Sequence, residues 1–366
     1  MEDAVTHTIE IDEGDVQEVF LERGWSDGFP VVAPTSTRVQ AMLAESDLEP
    51  DDVLGAVPGR SAVLTAEMLA TNAVAAGCRP EYFPIVQTAM SALLDPAFNL
   101  NAALTSTGGA ALTVLVSGPL AEQIGVHGGH NALGPGFPAN ATIGRALRLV
   151  SRNVFDARPG TMDGASLGNP GRYSLCFAEG PPPAGWTPLR VDLGYDVADT
   201  TVTVMATEGP RQIANHLNGT AEGILATLAS AMRSPTTFIA GKGGQAMLVL
   251  GPEHAAALAA AGLSRRDVQV HLADASRLGP QDLLDAGVRI PVDSAHDMNV
   301  GADGRLPVVK TPEDVFVVTA GGAGAGWSAY LPSWATSVTT TAVSRRVRPL
   351  HEALPDCGDD ACTVDF

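Results

Sequence analysis

Basic residues are scarce in this sequence, and the shortage limits the partners that the protein can have. The chain of 366 residues has 22 Lys and Arg against 41 Asp and Glu, which gives a formal net charge of −19 at pH 7. Nucleic acids and anionic membrane surfaces bind to patches of basic residues. The composition therefore predicts a soluble acidic protein that has neither a nucleic acid nor a membrane as a partner.

Long apolar runs are lacking as well. No apolar run reaches the roughly 18 residues that a membrane-spanning helix needs. The N-terminus, Met-Glu-Asp-Ala-Val-Thr-His, is polar and acidic, unlike a secretory signal peptide. We therefore expect a cytoplasmic protein.

Cysteine is also rare, since four cysteines in a chain of this length cannot build a disulfide scaffold. Cys78 and Cys176 lie in apolar contexts that are typical of buried thiols. Cys357 and Cys362 lie in a polar, acidic tail, where their spacing permits a disulfide, metal binding or thiol exchange. Neighbouring aspartates would raise the pKa of these two thiols and oppose thiolate chemistry. The tail pair is nevertheless a candidate for redox catalysis.

Apolar segments typical of buried strands alternate with helical patterns, which predicts an α/β fold. Continuous apolar runs, such as residues 112–116 and 246–250, are typical of strands in a sheet that helices cover on both faces. The segments 90–119 and 232–252 contain these runs, and each reads as helix, loop, strand and Gly-Pro turn. The sequence therefore predicts two related lobes, with mixed or parallel sheets covered by helices and an internal duplication.

Prolines and glycines are frequent over residues 155–190, which predicts a crossover between the two lobes. The predicted organisation is an N-terminal extension (1–24), a first α/β lobe (25–155), a linker (156–190), a second α/β lobe (191–350) and the cysteine-containing tail (351–366). Local patterns predict strands over residues 200–205 and 314–319, a helix over 213–233, and a further helix capped by Ser264.

The most informative stretch is residues 125–150, where two histidines and a glycine-rich loop run into a predicted helix start. Glycines such as Gly134 and Gly136 allow backbone N–H groups to converge on a ligand. Asn140 or Thr142 is predicted to cap the helix, whose positive end favours a carboxylate, a phosphate or another anion. These four residues are therefore candidates for binding the substrate.

His127 and His130 are the candidate catalytic residues of this stretch. Their spacing suits a metal such as zinc, copper, iron or nickel, but no flanking carboxylate completes a ligand pattern. Loop histidines that hydrogen bond to the backbone are a structural alternative. Substrate contact or acid–base chemistry is favoured, because histidine titrates near neutral pH.

A second glycine-rich loop follows the strand predicted to end at residue 319. Ligands gather at the carboxyl ends of strands, so this loop and the histidine loop are expected to face a shared cleft. Gly321 and Gly322 are predicted to contact the substrate, and Ser328 and Tyr330 to supply hydroxyl donors. Ser328 is not predicted to be a nucleophile, because the sequence has no Gly-x-Ser-x-Gly elbow.

Four further residues are weaker candidates. The Asp27-Gly28 dipeptide predicts a turn that leads into an extended segment, although Asp27 or Thr35 could line a site. Arg79 could pair with a substrate carboxylate through two hydrogen bonds. His296, with aspartates on both sides, is a further acid–base candidate.

Four segments of the chain together resemble a largely uncharacterised bacterial family. They are Trp25-Ser-Asp-Gly-Phe-Pro-Val-Val-Ala-Pro-Thr, Asn72-Ala-Val-Ala-Ala-Gly-Cys-Arg-Pro-Glu-Tyr, Gly134-Pro-Gly-Phe-Pro-Ala-Asn-Ala-Thr-Ile-Gly-Arg-Ala and Gly251-Pro-Glu-His-Ala. The family is associated with small cysteine- or selenocysteine-containing proteins that bear a UGSC-type redox motif. The resemblance covers residues 25–345 and favours an enzyme. It implies no particular catalytic residues, and the tail cysteines lie outside the resembling region.

The leading hypothesis is a small-molecule enzyme that acts on a carboxylate- or other anion-bearing metabolite, with His130 as the acid–base group and His127 beside it. One alternative is a metal-dependent enzyme or metal carrier, in which His254, His296 or the tail cysteines join these histidines. Another is a non-catalytic binding or assembly subunit. The sequence indicates no particular cofactor, and it leaves lyase, hydrolase and thiol oxidoreductase chemistry open. A second copy of the chain or a small thiol protein is a further candidate partner.

Overall fold

The structure is a computed structural model, and it describes residues 9–11, 15–60, 62–288, 300–324 and 326–348. His296, Cys357 and Cys362 therefore lie outside the described residues. None of the helices formed by the described residues is both long enough and apolar enough to span a membrane.

The described residues form an α/β fold, as the sequence predicts. The helices are α1 (Val16–Glu22), α2 (Ser36–Leu43), α3 (Ala66–Ala76), α4 (Phe83–Leu94), α5 (Leu100–Thr105), α6 (Pro119–Gln123), α7 (Pro138–Asn153), α8 (Leu189–Asp192), α9 (Ala221–Met232), α10 (Pro252–Ala260), α11 (Arg265–Ala275) and α12 (Pro280–Asp285). The strands are β1 (Val53–Ala56), β2 (Val63–Thr65), β3 (Ala111–Ser117), β4 (Leu175–Ala178), β5 (Thr201–Thr207), β6 (Arg211–Ala214), β7 (Gly244–Leu250), β8 (Val315–Thr319), β9 (Trp327–Thr336) and β10 (Val343–Arg346).

One mixed sheet of eight strands organises the fold, in the order β4-β3-β5-β9-β7-β8, with β10 paired to β5 and β6 paired to β9. The β3–β4 and β7–β8 pairs are parallel, and the other pairs in this sheet are antiparallel. Strands β1 and β2 form a separate antiparallel pair. The prediction of mixed sheets covered by helices is confirmed.

The sheet has two halves with the same strand pattern. In the first half, β3 lies between parallel β4 and antiparallel β5, and in the second half β7 lies between parallel β8 and antiparallel β9. Thr207 of β5 pairs with Ser333 of β9 where the halves join. Each half also receives a strand from the other, because β6 follows β5 but pairs with β9, and β10 follows β9 but pairs with β5.

The predicted internal duplication is not confirmed by this shared pattern. Aligning the two Gly-Pro turns of the sequence repeat places Val116 on Val249. However, Val116 packs in the core under the helices of the first half, whereas Val249 belongs to the core on the opposite face of the sheet. A one-residue shift reverses the face of every side chain in a strand. Residues that the sequence repeat aligns therefore lie on opposite faces of the sheet.

Three apolar cores hold the sheet in place, because successive side chains of a strand point to opposite faces. Helices cover one face of the sheet and form a separate core over each half, whereas the sequence predicts helices on both faces. The other face forms an inner core shared by both halves, to which β7 contributes Met247 while Leu248 points to the helices.

The two edge strands of the sheet lead into segments that meet. The amide of Gly180, after β4, donates to the carbonyl of Thr319 at the end of β8, with an N–O distance of 2.7 Å. The amide of Gly321 donates to the carbonyl of Gly128, with an N–O distance of 2.8 Å. These contacts bring the loops after β3 and β8 together.

Several predicted elements are confirmed and one needs correction. Residues 201–207 and 315–319 form strands, and the Ser264 side chain caps α11 in a capping box with Asp267. The helix predicted over residues 213–233 is wrong at its start, because residues 211–214 pair with β9 and the helix begins only at Ala221. The segment predicted as a linker, residues 156–190, contains strand β4.

Candidate functional site

The histidine loop, residues 127–136, connects α6 to α7. Helix α7 begins at Pro138, and its N-cap Phe137 supplies no side-chain cap. The prediction that Asn140 or Thr142 caps the helix is therefore wrong, since both lie inside it. Proline is favoured at the first helical position because its fixed φ suits a helix and its missing N–H would have no partner there.

Asn140 holds the histidine loop to α7. Its Oδ1 accepts from the amide of His127 at 2.8 Å, and its Nδ2 donates to the carbonyls of His127 and Ala132 at 2.9 and 3.3 Å. The residue is 5% exposed. The side chain thus binds the loop backbone, and the predicted contact of Asn140 with the substrate stays a prediction.

His127 is fixed within the loop. Its ring stacks on the ring of Phe137, with 3.6 Å between the centroids and 12° between the planes. Its Nε2 lies 2.9 Å from the carbonyl oxygen of His130. Because a carbonyl can only accept, Nε2 carries the proton in this contact. The ring therefore holds the backbone of His130 in position.

His130 is exposed and lies against the second glycine loop, residues 320–324. A side chain at Gly322 would overlap the imidazole of His130, so only glycine lets the ring lie this close to the backbone. Among the described residues, none forms a hydrogen bond to the His130 ring. The two loops expected to face a shared cleft are thus in contact, with an exposed imidazole between them.

Three consecutive amides of the histidine loop, those of Gly128, Gly129 and His130, have no acceptor within the described ranges. Gly128 lies so close to the carbonyl of Ala178 that a side chain there would clash with it. Successive backbone N–H groups that converge on one point form binding sites for anions.

The second glycine loop binds a carboxylate of the chain itself. The amide of Gly324 donates to Oε1 of Glu253, the second residue of α10, at 2.6 Å. Hydrogen bonds from its own backbone amide, and then from those of Gly324 and Gly326, lower the pKa of Glu253. Local sequence patterns give no sign of this contact, because 71 residues separate Glu253 from Gly324.

Ser328 does not contact the histidine loop; its partner is His254 of α10. Its Oγ lies 2.8 Å from Nδ1 of His254, and Nε2 of His254 lies 3.2 Å from the carbonyl oxygen of Asn215. Ser328 and His254 are 7% and 3% exposed. Since Nε2 donates to a carbonyl, Nδ1 accepts the hydroxyl proton of Ser328. Tyr330 is fully buried in the core of the second half.

The other predicted residues lie outside the contact between the two loops. Arg79 is exposed and forms a surface ion pair with Glu81, with an N–O distance of 3.9 Å. Thr142 donates to the carbonyl of Pro138 at 2.8 Å. Gly134 lies against the side chain of Asn131, and Gly136 has a φ of +123°.

Two of the segments that carry the family resemblance are joined by an ion pair that the sequence analysis missed. Nε and Nη2 of Arg145 donate to the two carboxylate oxygens of Asp27 at 2.8 and 2.7 Å. Nη1 of Arg145 donates to the carbonyl of Pro30 at 2.9 Å. Thr35 accepts from the amide of Arg38 and caps α2. Asp27 and Thr35 thus have structural partners.

Cys78 and Cys176 are free thiols, of which Cys78 is half-buried and Cys176 is buried. Burial raises the pKa of Cys78 to about 12, although a hydrogen bond with Thr142 opposes the shift. Burial also raises the pKa of Cys176. Because the thiolate is the nucleophile, a raised pKa opposes a catalytic role for either thiol.

The described residues do not favour a metal site at the two loop histidines. In this part of the chain, no group of three or more His, Cys, Asp or Glu side chains is arranged to hold a metal ion. Nε2 of His127 faces the carbonyl of His130, and His254 is bound to Ser328. Tail cysteines and His296, the other proposed ligands, are not among the described residues.

Comparison with known proteins identifies no family for this chain. A scan against models of protein families finds no match, and a search of curated proteins finds no significant match either. The resemblance to the family with the UGSC-type motif therefore stays an expectation.

Proposed function

We propose that this protein is an enzyme that acts on a small metabolite carrying a carboxylate or another anionic group. The substrate binds where the histidine loop contacts the second glycine loop. The observation that carries the proposal is the position of His130, whose exposed ring lies on Gly322 and has no hydrogen-bond partner among the described residues.

The residues of the loop divide into two roles. His130 is the general acid–base group, since its ring faces the other loop and imidazole exchanges protons near neutral pH. His127 is a positioning residue, because its ring is held by Phe137 and binds the carbonyl of His130. Asn140 fixes the start of the loop through His127.

The anionic character of the substrate is inferred from the backbone. The amides of Gly128, Gly129 and His130 supply hydrogen-bond donors without the strong hydration of a lysine. The neighbouring loop already binds the carboxylate of Glu253 through an amide, which supports a preference for this chemistry.

A ligand screen by thermal unfolding tests the proposal. Small carboxylates and inorganic phosphate are added to the wild type, to His130→Ala and to His271→Ala, an exposed histidine of α11 that serves as a control. A ligand at 100 times its Kd stabilises the native state by about 2.7 kcal/mol. We expect His130→Ala to unfold like the wild type without ligand, because the ring is exposed, and to lose the part of the ligand-induced shift that the imidazole contributes, while the backbone amides remain.

The control variant should keep the full shift. If every stabilising ligand protects His130→Ala as well as the wild type, the ring of His130 does not contact the bound ligand and its proposed role is wrong. The proposal is equally wrong if none of the carboxylates stabilises the wild type and phosphate does not stabilise it either.

A further inference from the structure

A cavity of about 390 Å³ lies away from both glycine-rich loops. The segment after β4, the first turns of α11 and the residues around the start of β8 surround it. None of its lining residues belongs to the histidine loop or to the second glycine loop. Small-molecule sites have volumes of roughly 300–1,000 Å³, so this cavity suits a small metabolite rather than a large cofactor.

One part of the cavity wall is apolar. Trp186 and Phe316, which are 9% and 8% exposed, line it together with Leu189 and Leu193. Nε1 of Trp186 donates to the carbonyl of Leu263 at 2.7 Å, which fixes the orientation of the indole. The wall therefore offers a fixed aromatic surface to an apolar group.

The rest of the wall holds two ion pairs. Arg266 and Glu313 are 2.5 Å apart, and their side chains are 51% and 66% exposed. Arg265 pairs with Asp192, and these side chains are 4% and 36% exposed. The cavity is thus lined by two positive and two negative side chains, three of which reach solvent.

Arg265 is held in place by Glu179, which does not line the cavity. Its Nη2 lies 3.4 Å from Oε1 of Glu179, a buried carboxylate. Glu179 also accepts from the hydroxyl of Ser117 at 2.5 Å and from the amide of Leu189 at 2.8 Å. The guanidinium also lies over the ring of Trp186, with 5.4 Å between Cζ and the ring centroid. Arg265 is therefore a fixed part of the wall, whereas Arg266, Glu313 and Asp192 can exchange partners with a ligand.

We infer that this cavity binds an α-amino acid with an apolar side chain. A free amino acid is a zwitterion, so its carboxylate can pair with an arginine and its ammonium with Asp192 or Glu313. Its side chain then covers Trp186 and Phe316. A purely anionic ligand would meet the two carboxylates, and a purely cationic one would meet the two arginines.

Titration with leucine, followed by tryptophan fluorescence, tests this inference. We expect a saturable change in emission from the wild type and none from Trp186→Phe, because the other three tryptophans do not line the cavity. N-acetyl-leucine lacks the ammonium and leucinamide lacks the carboxylate. Each derivative should bind about tenfold more weakly than leucine, because it lacks one of the two charged groups that pair with side chains of the cavity wall.

Two exposed residues supply matched variants that spare the fold. Arg266→Gln should weaken the binding of leucine more than that of leucinamide, and Glu313→Gln should weaken the binding of leucine more than that of N-acetyl-leucine. Since the cavity and the histidine loop share no residue, His130→Ala should bind leucine like the wild type. This variant separates a failure of the inference from a failure of the proposed function.

Two results would overturn the inference. One is the absence of a saturable signal for leucine and for phenylalanine, measured by fluorescence and by calorimetry. The other is equal affinity for leucine and both of its derivatives, which would show that the zwitterion is not recognised.

Discussion

Replacement of Asn140 by alanine should both destabilise the protein and release the histidine loop. The side chain is 5% exposed and forms three hydrogen bonds, two with the backbone of His127 and one with the carbonyl of Ala132. Alanine removes every one of them while leaving α7 with a good helix former. The loop then loses its attachment to the helix.

The size of the effect follows from these contacts. A typical hydrogen bond contributes about 1 kcal/mol net, so the loss of three costs about 3 kcal/mol. Asn131→Gly is the matched control in the same loop. Asn131 is exposed, has a φ of +61° that suits glycine, and donates one hydrogen bond to Pro135 at 2.7 Å. Its replacement should change the free energy of unfolding by about 0.5 kcal/mol or less.

Urea unfolding measures the loss of stability, and hydrogen exchange at the amide of His127 measures the opening of the loop. We expect both to change in Asn140→Ala and neither to change much in Asn131→Gly. An Asn140→Ala protein within about 0.5 kcal/mol of the wild type, with the His127 amide still protected, would refute this account of the loop.

Three further variants or treatments test other contacts. Arg145→Lys should cost about 2 kcal/mol in urea unfolding, because lysine keeps the charge beside Asp27 but has at least two donors too few for the hydrogen bonds of Arg145; equal stability would show that the forked pair is not needed. Backbone amides lower the pKa of Glu253, so its contribution to stability is present above the unfolded value and is lost as the pH falls through the lower folded value. Melting curves between about pH 3 and 6 should therefore depend less on pH in Glu253→Gln than in the wild type. A thiol reagent at neutral pH should leave Cys78 and Cys176 unlabelled in the native protein, as peptide mapping would show, and rapid labelling of either would contradict the effect of burial on their pKa.

Local sequence patterns determined the fold class and several elements. Strands β5 and β8 and the Ser264 cap of α11 were predictable, since each depends on neighbours a few residues away. The glycine-rich loops were recognisable for the same reason, because glycine and proline act on the backbone where they stand. The start of α7 was not predicted, because Pro138 and Asn140 both carry local signals for a helix start. Proline at the first helical position determines the start, and Asn140 lies inside the helix.

Tertiary structure alone decided which residues meet. Residues 211–214 form a strand because β9 pairs with them, more than a hundred residues further along the chain. The pairs Asp27–Arg145, Glu179–Arg265 and Ser328–His254 also join distant segments, and in each the charge or hydrogen-bonding group is common enough to have many possible partners. The contact between His130 and Gly322 depends on the order and direction of the strands, which bring the loops after β3 and β8 together. Sequence spacing carries no information about such contacts, because sheet pairing and the burial of the three apolar cores set them for the chain as a whole.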